Sequence, residues 1–188
     1  MPYFEDEVFD TENINEVSEF RGSEFICCEF VGVDISELDA SSAKFIECTF
    51  KNCNLSNLKL LGASFRDVTF VDSKCIGLNF SDCNTLFELK FNRSILNYAS
   101  FQDCTIHGAQ FISSTLRETD FTQGSFESSD FSDSDLQGTN FTRANLKGSK
   151  FLNARNFYID IANTNLKNCK FSMPEVLNLL SPFGIEIE

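Results

Sequence analysis

The sequence lacks tryptophan and holds one histidine, three prolines and two methionines among its 188 residues. It also lacks a glycine-rich phosphate loop and a nucleophile motif, and the lone His107 cannot form the converging Cys and His set that zinc requires. No apolar run approaches the roughly 20 residues of a membrane span. The start, from Met1 to Glu7, has neither the basic residues nor the apolar core of a secretory signal. These absences predict a cytoplasmic protein that is not an enzyme and uses no cofactor, metal or membrane.

Basic residues are also scarce, with 15 Lys and Arg against 28 Asp and Glu, and the formal net charge is −13. This balance opposes contact with nucleic-acid phosphates. We therefore expect a protein partner and no direct binding to nucleic acid. A chain of 188 residues, 42% of them hydrophobic, suits one domain with a core.

Phenylalanine, in contrast, is abundant and recurs with a period of five. A register that runs from Phe20, slips by one residue between Phe80 and Leu86, and ends at Phe171 defines 31 centre positions, of which 28 are Phe, Leu or Ile. The exceptions are Ala40, Cys75 and Asn156. The residue two places before the centre is small at 25 of the 31 positions, and seven of the nine glycines lie two places after it. Because glycine tolerates positive φ, each repeat is predicted to end in a turn.

A period of five fits neither a helix nor a long strand. Four sides of five residues close a square coil of 20 residues, so stacked coils place positions 20 apart in contact. One such column consists of phenylalanine alone, namely Phe30, Phe50, Phe70, Phe91, Phe111, Phe131, Phe151 and Phe171, and the next column along the chain has none. No proline occurs between Pro2 and Pro174, as a continuous hydrogen-bonded ladder requires. The sequence thus predicts an all-β solenoid with four distinct faces.

The repeat resembles that of the pentapeptide-repeat family, whose motif is A(D/N)LXX. Ala-Asn-Leu at 144–146 matches the motif, and Ser-Asp-Phe at 129–131 and Ser-Asp-Leu at 134–136 are close variants. The resemblance covers residues 18–172 and implies a right-handed quadrilateral parallel β-helix of about eight coils, roughly 37 Å long. It also implies a mode of action, since Qnr-type quinolone-resistance members and their mycobacterial relatives resemble duplex DNA and engage DNA gyrase or topoisomerase IV.

Both ends of the chain depart from the repeat. Residues 1–17 predict an irregular N-terminal cap, because Glu7 and Glu12 replace small residues while Phe4, Phe9 and Ile14 keep the spacing of five. Residues 173–188 predict a short helix that follows the capping-box pattern Ser172-Met-Pro-Glu175, and then a tail strand. This tail either covers its own solenoid or pairs two copies as in some family members. The predicted dimer contacts are Val176, Leu177, Leu180, Phe183 and Ile185.

The eight cysteines follow the same register. Six occupy the small inward position, Cys75 occupies a centre, and only Cys27 lies outward, which predicts buried free thiols. Two irregularities interrupt the repeat. The extra residue within Ser81–Thr85 predicts a bulge that exposes Phe87, and Phe157 and Tyr158 lie outside the centres and are expected at the surface.

The face centred on Phe20, Ala40 and Leu60 is predicted to be the most acidic. Its candidate partner-binding residues are Glu19, Asp39, Asp82, Asp103, Asp120 and Asp160, against Arg21, Lys59 and Arg143. Residues 18–172 nevertheless hold 19 acids and 15 bases, and residues 1–50 hold 13 acids and two bases, so the rod is not a uniform polyanion. Two functions stay open. One is a DNA mimic that binds and modulates a type II topoisomerase and alters quinolone susceptibility, and the other is a scaffolding solenoid that binds another protein through its flat faces.

Overall fold

The structure is a computed structural model that describes residues 2–183 and residue 185, with only the backbone of residues 181–183. The chain winds as a right-handed parallel β-helix of about eight coils, which confirms the predicted fold. We name its four faces after their first centre residues, in chain order: the Phe20, Phe25, Phe30 and Ile35 faces. Within the described residues, no helix is long and apolar enough to span a membrane.

The regular strands lie on the Phe25 and Phe30 faces. They are β1 Tyr3–Glu5, β2 Val8–Phe9, β3 Glu24–Ile26, β4 Glu29–Val31, β5 Lys44–Ile46, β6 Thr49–Lys51, β7 Ser64–Val71, β8 Thr85–Asn92, β9 Gln110–Ile112, β10 Lys150–Phe151 and β11 Lys170–Phe171. Paired positions in successive coils are 20 residues apart, as Phe25 with Phe45 and Phe30 with Phe50. Single bridges such as Asp34 with Asn54 join the coils on the Ile35 face.

The core is a pile of centre side chains. Along the all-Phe column of the Phe30 face, successive rings from Phe30 to Phe171 stack with centroids 4.6–5.3 Å apart and planes within 6–10° of each other. Rings on neighbouring faces meet edge to face, as Phe121 and Phe131 do at 86°. Both arrangements are favourable for aromatic pairs. Small inward residues such as Ala63 and Ala109 are fully buried between the rings and leave room for them.

The corners lie two residues after the centres, as predicted. The glycines from Gly22 to Gly148 at this position have φ of 66–76°. Other residues adopt the same left-handed conformation at equivalent corners, for example Glu47 with φ 55° and Tyr98 with φ 60°. The chain therefore turns at a fixed place in each repeat whether or not glycine is present.

The one-residue slip is absorbed by a helical turn instead of the predicted β-bulge. Residues Phe80–Asp82 form one turn of 3-10 helix, and the side chain of Asn79 accepts a hydrogen bond from the Ser81 backbone N–H. The pairing offset becomes 21 across this turn, as Ser64 with Thr85. Phe87 points outward and is 53% exposed, as the sequence predicted.

The N-terminal segment is more regular than the sequence suggested. Strands β1 and β2 add one more rung to the Phe25 and Phe30 faces, with Phe4 beside Phe25 and Phe9 beside Phe30. A 3-10 turn, Ile14–Glu16, follows, and Ile14 packs against the core. The segment thus covers the first coil with a partial coil of its own.

Phe157 is buried, and the prediction that it is exposed was wrong. The register assigns the inward position to Asn156, but Asn156 is exposed and Phe157 takes that position one residue later. The Phe157 ring lies 6.2 Å from Phe151 and 5.6 Å from Phe171. An amide side chain has no hydrogen-bond partner in an apolar core, so a shift of one residue is more favourable than its burial.

The shift also changes the residues that follow Phe157. Tyr158 is 60% exposed, as predicted, whereas Ile161, which the register counts as a centre, is 40% exposed. Ile159 is buried in its place. The repeat returns to its register by β11.

The C-terminal helix is a 3-10 helix, Glu175–Phe183. Ser172 does not cap it in the predicted way, since its hydroxyl accepts a hydrogen bond from the Asn153 backbone N–H at 3.0 Å. Leu179 packs against the core, and Val176, Leu177 and Leu180 are half-buried. Ile185 is exposed, while the side chain of Phe183 and the rest of the predicted tail strand lie outside the described residues. The dimer contact through these residues stays a prediction.

Buried serines form a second internal ladder on the Ile35 face, consisting of Ser73, Ser94, Ser114 and Ser134. The Ser114 hydroxyl donates to the Phe91 carbonyl at 3.1 Å and accepts the backbone N–H of Ser94 at 3.1 Å. Ser129, in the small inward position of the Phe30 face, is also buried, but its hydroxyl has no hydrogen-bond partner.

This contrast predicts opposite effects for two serine substitutions. Ser129→Ala is expected to leave the free energy of unfolding unchanged or to raise it by up to about 1 kcal/mol, because it removes an unsatisfied buried hydroxyl. The control Ser114→Ala should lower it by about 1–2 kcal/mol, because the Ser94 N–H loses its acceptor. Guanidinium denaturation measures both. A loss above about 1 kcal/mol for Ser129→Ala would show that its hydroxyl does have a partner.

Candidate protein-interaction surface

The predicted acidic residues all lie on the Phe20 face or its corners, but three of them serve local structure. The carboxylates of Asp39, Asp120 and Asp160 each accept the backbone N–H two residues later, at 2.9 Å in every case. The hydrogen bond from Ser41 lowers the pKa of Asp39, and the hydrogen bond from Asn163 lowers that of Asp160. Such turns explain why Asp or Asn recurs before the centre.

The other three acids present free charge more openly. Glu19, Asp82 and Asp103 are exposed, although Asp103 accepts a hydrogen bond from the Gln123 side chain at 2.8 Å. Glu19 and Asp103 lie four coils apart, which is about 19 Å along the rod. The structure therefore places the six predicted residues on one face without bringing them into a single cluster.

An open groove of about 490 Å³ lies at the N-terminal end, between the Ile14–Glu16 turn and the first coil. Its apolar lining consists of Ile14, Val17, Phe20, Ile35 and Leu38, and its polar lining includes Glu19, Arg21, Asp34 and Asp39. Arg21 and Asp39 form an ion pair at 3.3 Å. The sequence did not reveal this groove, because it depends on the path of the N-terminal segment across the end of the coil. Its one signal was Leu38, a large residue at a small inward position.

Negative charge is concentrated at the same end. Residues 1–50, which form the three N-terminal rungs, carry 13 acids and two bases, a net charge of −11. Three rungs span about 14 Å. Duplex DNA carries about eight charges over that length, at one per roughly 1.7 Å. Only this end of the rod therefore matches the charge density of DNA.

The cysteines supply no reactive group within this surface. All eight thiols are free, and only Cys27 is exposed. Burial raises the pKa of Cys48 to about 12 and that of Cys104 to about 11, so both thiols stay protonated. Among the described residues, no group of three His, Cys, Asp or Glu could hold a metal ion.

Comparisons with known proteins agree with this architecture. The family model "Pentapeptide repeat region" matches residues 84–151, and "Pentapeptide repeats (8 copies)" matches residues 48–84, so together they cover more than half of the chain. A comparison of the sequence with curated proteins gave no match.

The chain is also similar to solved structures of QnrB1, a plasmid-mediated fluoroquinolone resistance protein. One trypsin-treated variant of QnrB1 has 18% sequence identity and a TM-score of 0.66, covering 99% of this chain and 97% of that chain. A second trypsin-treated variant has 19% identity and a TM-score of 0.56, with complete coverage of both chains. Full-length QnrB1 has 17% identity and a TM-score of 0.51, covering 98% of this chain and 99% of that chain. At these identities the likeness shows the fold.

Proposed function

Because the chain belongs to the pentapeptide-repeat family, we propose that it is a non-enzymatic interaction protein that binds a type II topoisomerase, DNA gyrase or topoisomerase IV. Its acidic N-terminal rungs occupy the basic groove that otherwise holds DNA, and binding modulates the enzyme and its susceptibility to quinolones. The likeness to QnrB1, a fluoroquinolone resistance protein, supports this partner. The observation that carries the proposal is the net charge of −11 on residues 1–50.

The charge distribution limits the contact to one end of the rod. About 14 Å of DNA-like charge corresponds to roughly four base pairs of duplex. Residues 51–140 hold 11 acids and seven bases and would add little attraction. The N-terminal groove gives the same end an apolar pocket, so a basic segment of the partner can bury an apolar side chain there.

Charge reversal at the N-terminal end tests this placement. We expect Glu16→Lys, Glu19→Lys and Glu37→Lys together to raise the concentration needed to inhibit gyrase supercoiling by about ten- to a hundredfold, because three exposed charge contacts become repulsive. The matched control, Asp82→Lys, Asp103→Lys and Glu118→Lys, makes the same charge change at mid-rod and should change it less than about threefold.

Two outcomes would contradict the proposal. Equal losses in the two triple variants would place the contact along the whole rod instead of at its end. No inhibition by the wild-type protein at tens of micromolar would remove the topoisomerase as the partner.

A scaffolding function is the second candidate, and the outward side of the Phe30 face favours it. Val31, Val71 and Ile112 are half-buried there, and Leu152 is 37% exposed. Apolar side chains on a flat parallel sheet suit a protein partner of little charge. Affinity capture from native lysate separates the candidates, because a scaffold yields a stable complex without topoisomerase, and capture of topoisomerase alone would rule the scaffold out.

A further inference from the structure

One outward column of the Phe25 face has acidic and basic ends. The column follows the centres by one residue and reads Glu5, Ile26, Ile46, Arg66, Phe87, His107, Glu127, Lys147 and Lys167. Strand pairing aligns its first five members in neighbouring rungs, and the 20-residue period continues the column below them. Phe87 is the fifth of nine residues and marks the middle of the rod.

The basic end is a cluster that we call the lysine patch, consisting of Lys147, Lys150, Lys167 and Lys170. All four are exposed at the corner between the Phe25 and Phe30 faces. Lys147 pairs with Glu127 at 3.4 Å and Lys150 with Asp130 at 3.0 Å. Within the described part of the chain, Lys167 and Lys170 have no ion-pair partner. Residues 141–172 hold six bases and a single acid, so the patch is a surplus of positive charge.

The acidic end occupies the same corner, seven to eight rungs away. Its carboxylates are those of Glu5, Asp6, Glu24 and Glu47, and of these Glu24 pairs with Lys44 at 3.3 Å. Between the two ends the column is apolar in places, with half-buried Ile26 and Ile46 and with Phe87 at 53% exposure. An exposed phenylalanine on a flat sheet, between charges of opposite sign, indicates a surface that is covered by a partner.

We propose that this partner is a second copy of the chain, packed antiparallel on the Phe25 face. A two-fold axis through Phe87, parallel to the strands, sets each rung above the middle opposite the corresponding rung below it. Glu5 then faces Lys167 of the second copy, and Lys147 of that copy lies opposite Ile26 and within a diagonal step of Glu24. The two Phe87 rings meet at the axis. The rod is complementary to itself only when reversed, because its two ends carry opposite charge.

The size of the surface sets the strength of the dimer. The face is about 37 Å long and about 10 Å wide, so each copy buries roughly 400 Å², well below the roughly 800 Å² per partner of a stable complex. The intermediate pairs, Ile46 with Glu127 and Arg66 with His107, add no ion pair. The dimer is therefore weak, forms at protein concentrations of about 0.1 mM, and dissociates as salt screens its end contacts.

Complementary charge swaps test the register by sedimentation velocity at about 25 mM salt. The wild-type protein should associate as its concentration rises and lose this association at about 0.5 M salt. The variant Glu5→Lys with Glu24→Lys and the variant Lys147→Glu with Lys167→Glu should each stay monomeric alone, yet associate when mixed. A wild type that is monomeric at several hundred micromolar, or variants that do not associate when mixed, would overturn the proposal.

A cross-link at the axis identifies the surface directly. Phe87→Cys in a Cys27→Ser background should form a disulfide-linked dimer under mild oxidation, because the two residues meet at the axis. Tyr98→Cys in the same background is the matched control, since Tyr98 is 68% exposed at a corner of the Ile35 face, and it should not cross-link. A dimer formed through the C-terminal tail would hold the two Phe87 residues roughly 40 Å apart. Failure of Phe87→Cys to cross-link at a concentration where the protein is dimeric would therefore overturn the proposed surface.

Discussion

Replacement of Phe111 by alanine is expected to lower the free energy of unfolding by about 3–5 kcal/mol. The Phe111 ring is fully buried and lies in the middle of the all-Phe column. It stacks on Phe91 at 5.3 Å and on Phe131 at 4.9 Å, and it meets the Phe121 ring edge to face at 5.4 Å. The rigid coils above and below cannot collapse into the cavity, so neighbouring rings on both sides lose contacts. Chemical denaturation of the purified protein measures the loss.

The control for this substitution is Phe87→Ala, which removes the same ring from the outside of the same rod. Because Phe87 is 53% exposed, its loss should cost less than about 1 kcal/mol at micromolar protein concentration. A loss below about 1 kcal/mol for Phe111→Ala would mean that the column is not packed as the structure shows.

Replacement of Asp135 by alanine is expected to cost about 2–4 kcal/mol. The Asp135 side chain is 2% exposed and accepts hydrogen bonds from Arg117 at 2.7 and 2.9 Å and from the Asn156 amide at 2.8 Å. Arg117 is 51% exposed and remains hydrated when its partner is lost, which keeps the cost below that of a fully buried pair. The control Asp133→Ala removes an exposed carboxylate two residues away and should cost less than about 1 kcal/mol. Equal losses in denaturation would assign no special role to Asp135.

The charge of Asp135 also predicts a dependence on pH. Burial opposes its ionisation, but hydrogen bonds from Asn156 and Arg117 outweigh burial, so the pKa of Asp135 lies below its ordinary value of 3.8. A lowered pKa stabilises the folded state above the unfolded value and loses that contribution as pH falls through the folded value. The difference in unfolding free energy between wild type and Asp135→Asn should thus be constant from about pH 5 to 7 and shrink below about pH 4. A difference unchanged down to about pH 2 would contradict this assignment.

The fold was predictable because its period is expressed in the largest apolar side chains. A ring at Phe50 has one inward position, so a column of rings determines the coil length, the number of faces and the corner positions together. The sequence could not show where a polar centre would displace the chain. At Asn156 the cost of burying an amide shifts Phe157 inward, and this depends on the space that Phe151 and Phe171 leave.

The interaction surface was less predictable because its charges have two uses. Asp39, Asp120 and Asp160 were grouped by face, yet they belong to turns that recur in the whole chain, as in Asp34 with Ser36. A polar residue that repeats with the core has a structural use first. The N-terminal groove could not be foreseen, because its walls come from a segment whose pairing offset of 21 differs from that of the repeat.

Each coil bonds only to its neighbours, at a separation of 20 residues or of 21 across the slip. Deletion or duplication of one complete coil would therefore leave every column aligned, whereas a change of any other length would turn rings outward. The molecule can lengthen during evolution in whole-coil steps without a change in cross-section. Each added coil would move the lysine patch about 4.8 Å farther from the acidic end, so the separation of the two charges is adjustable while the charges themselves are kept.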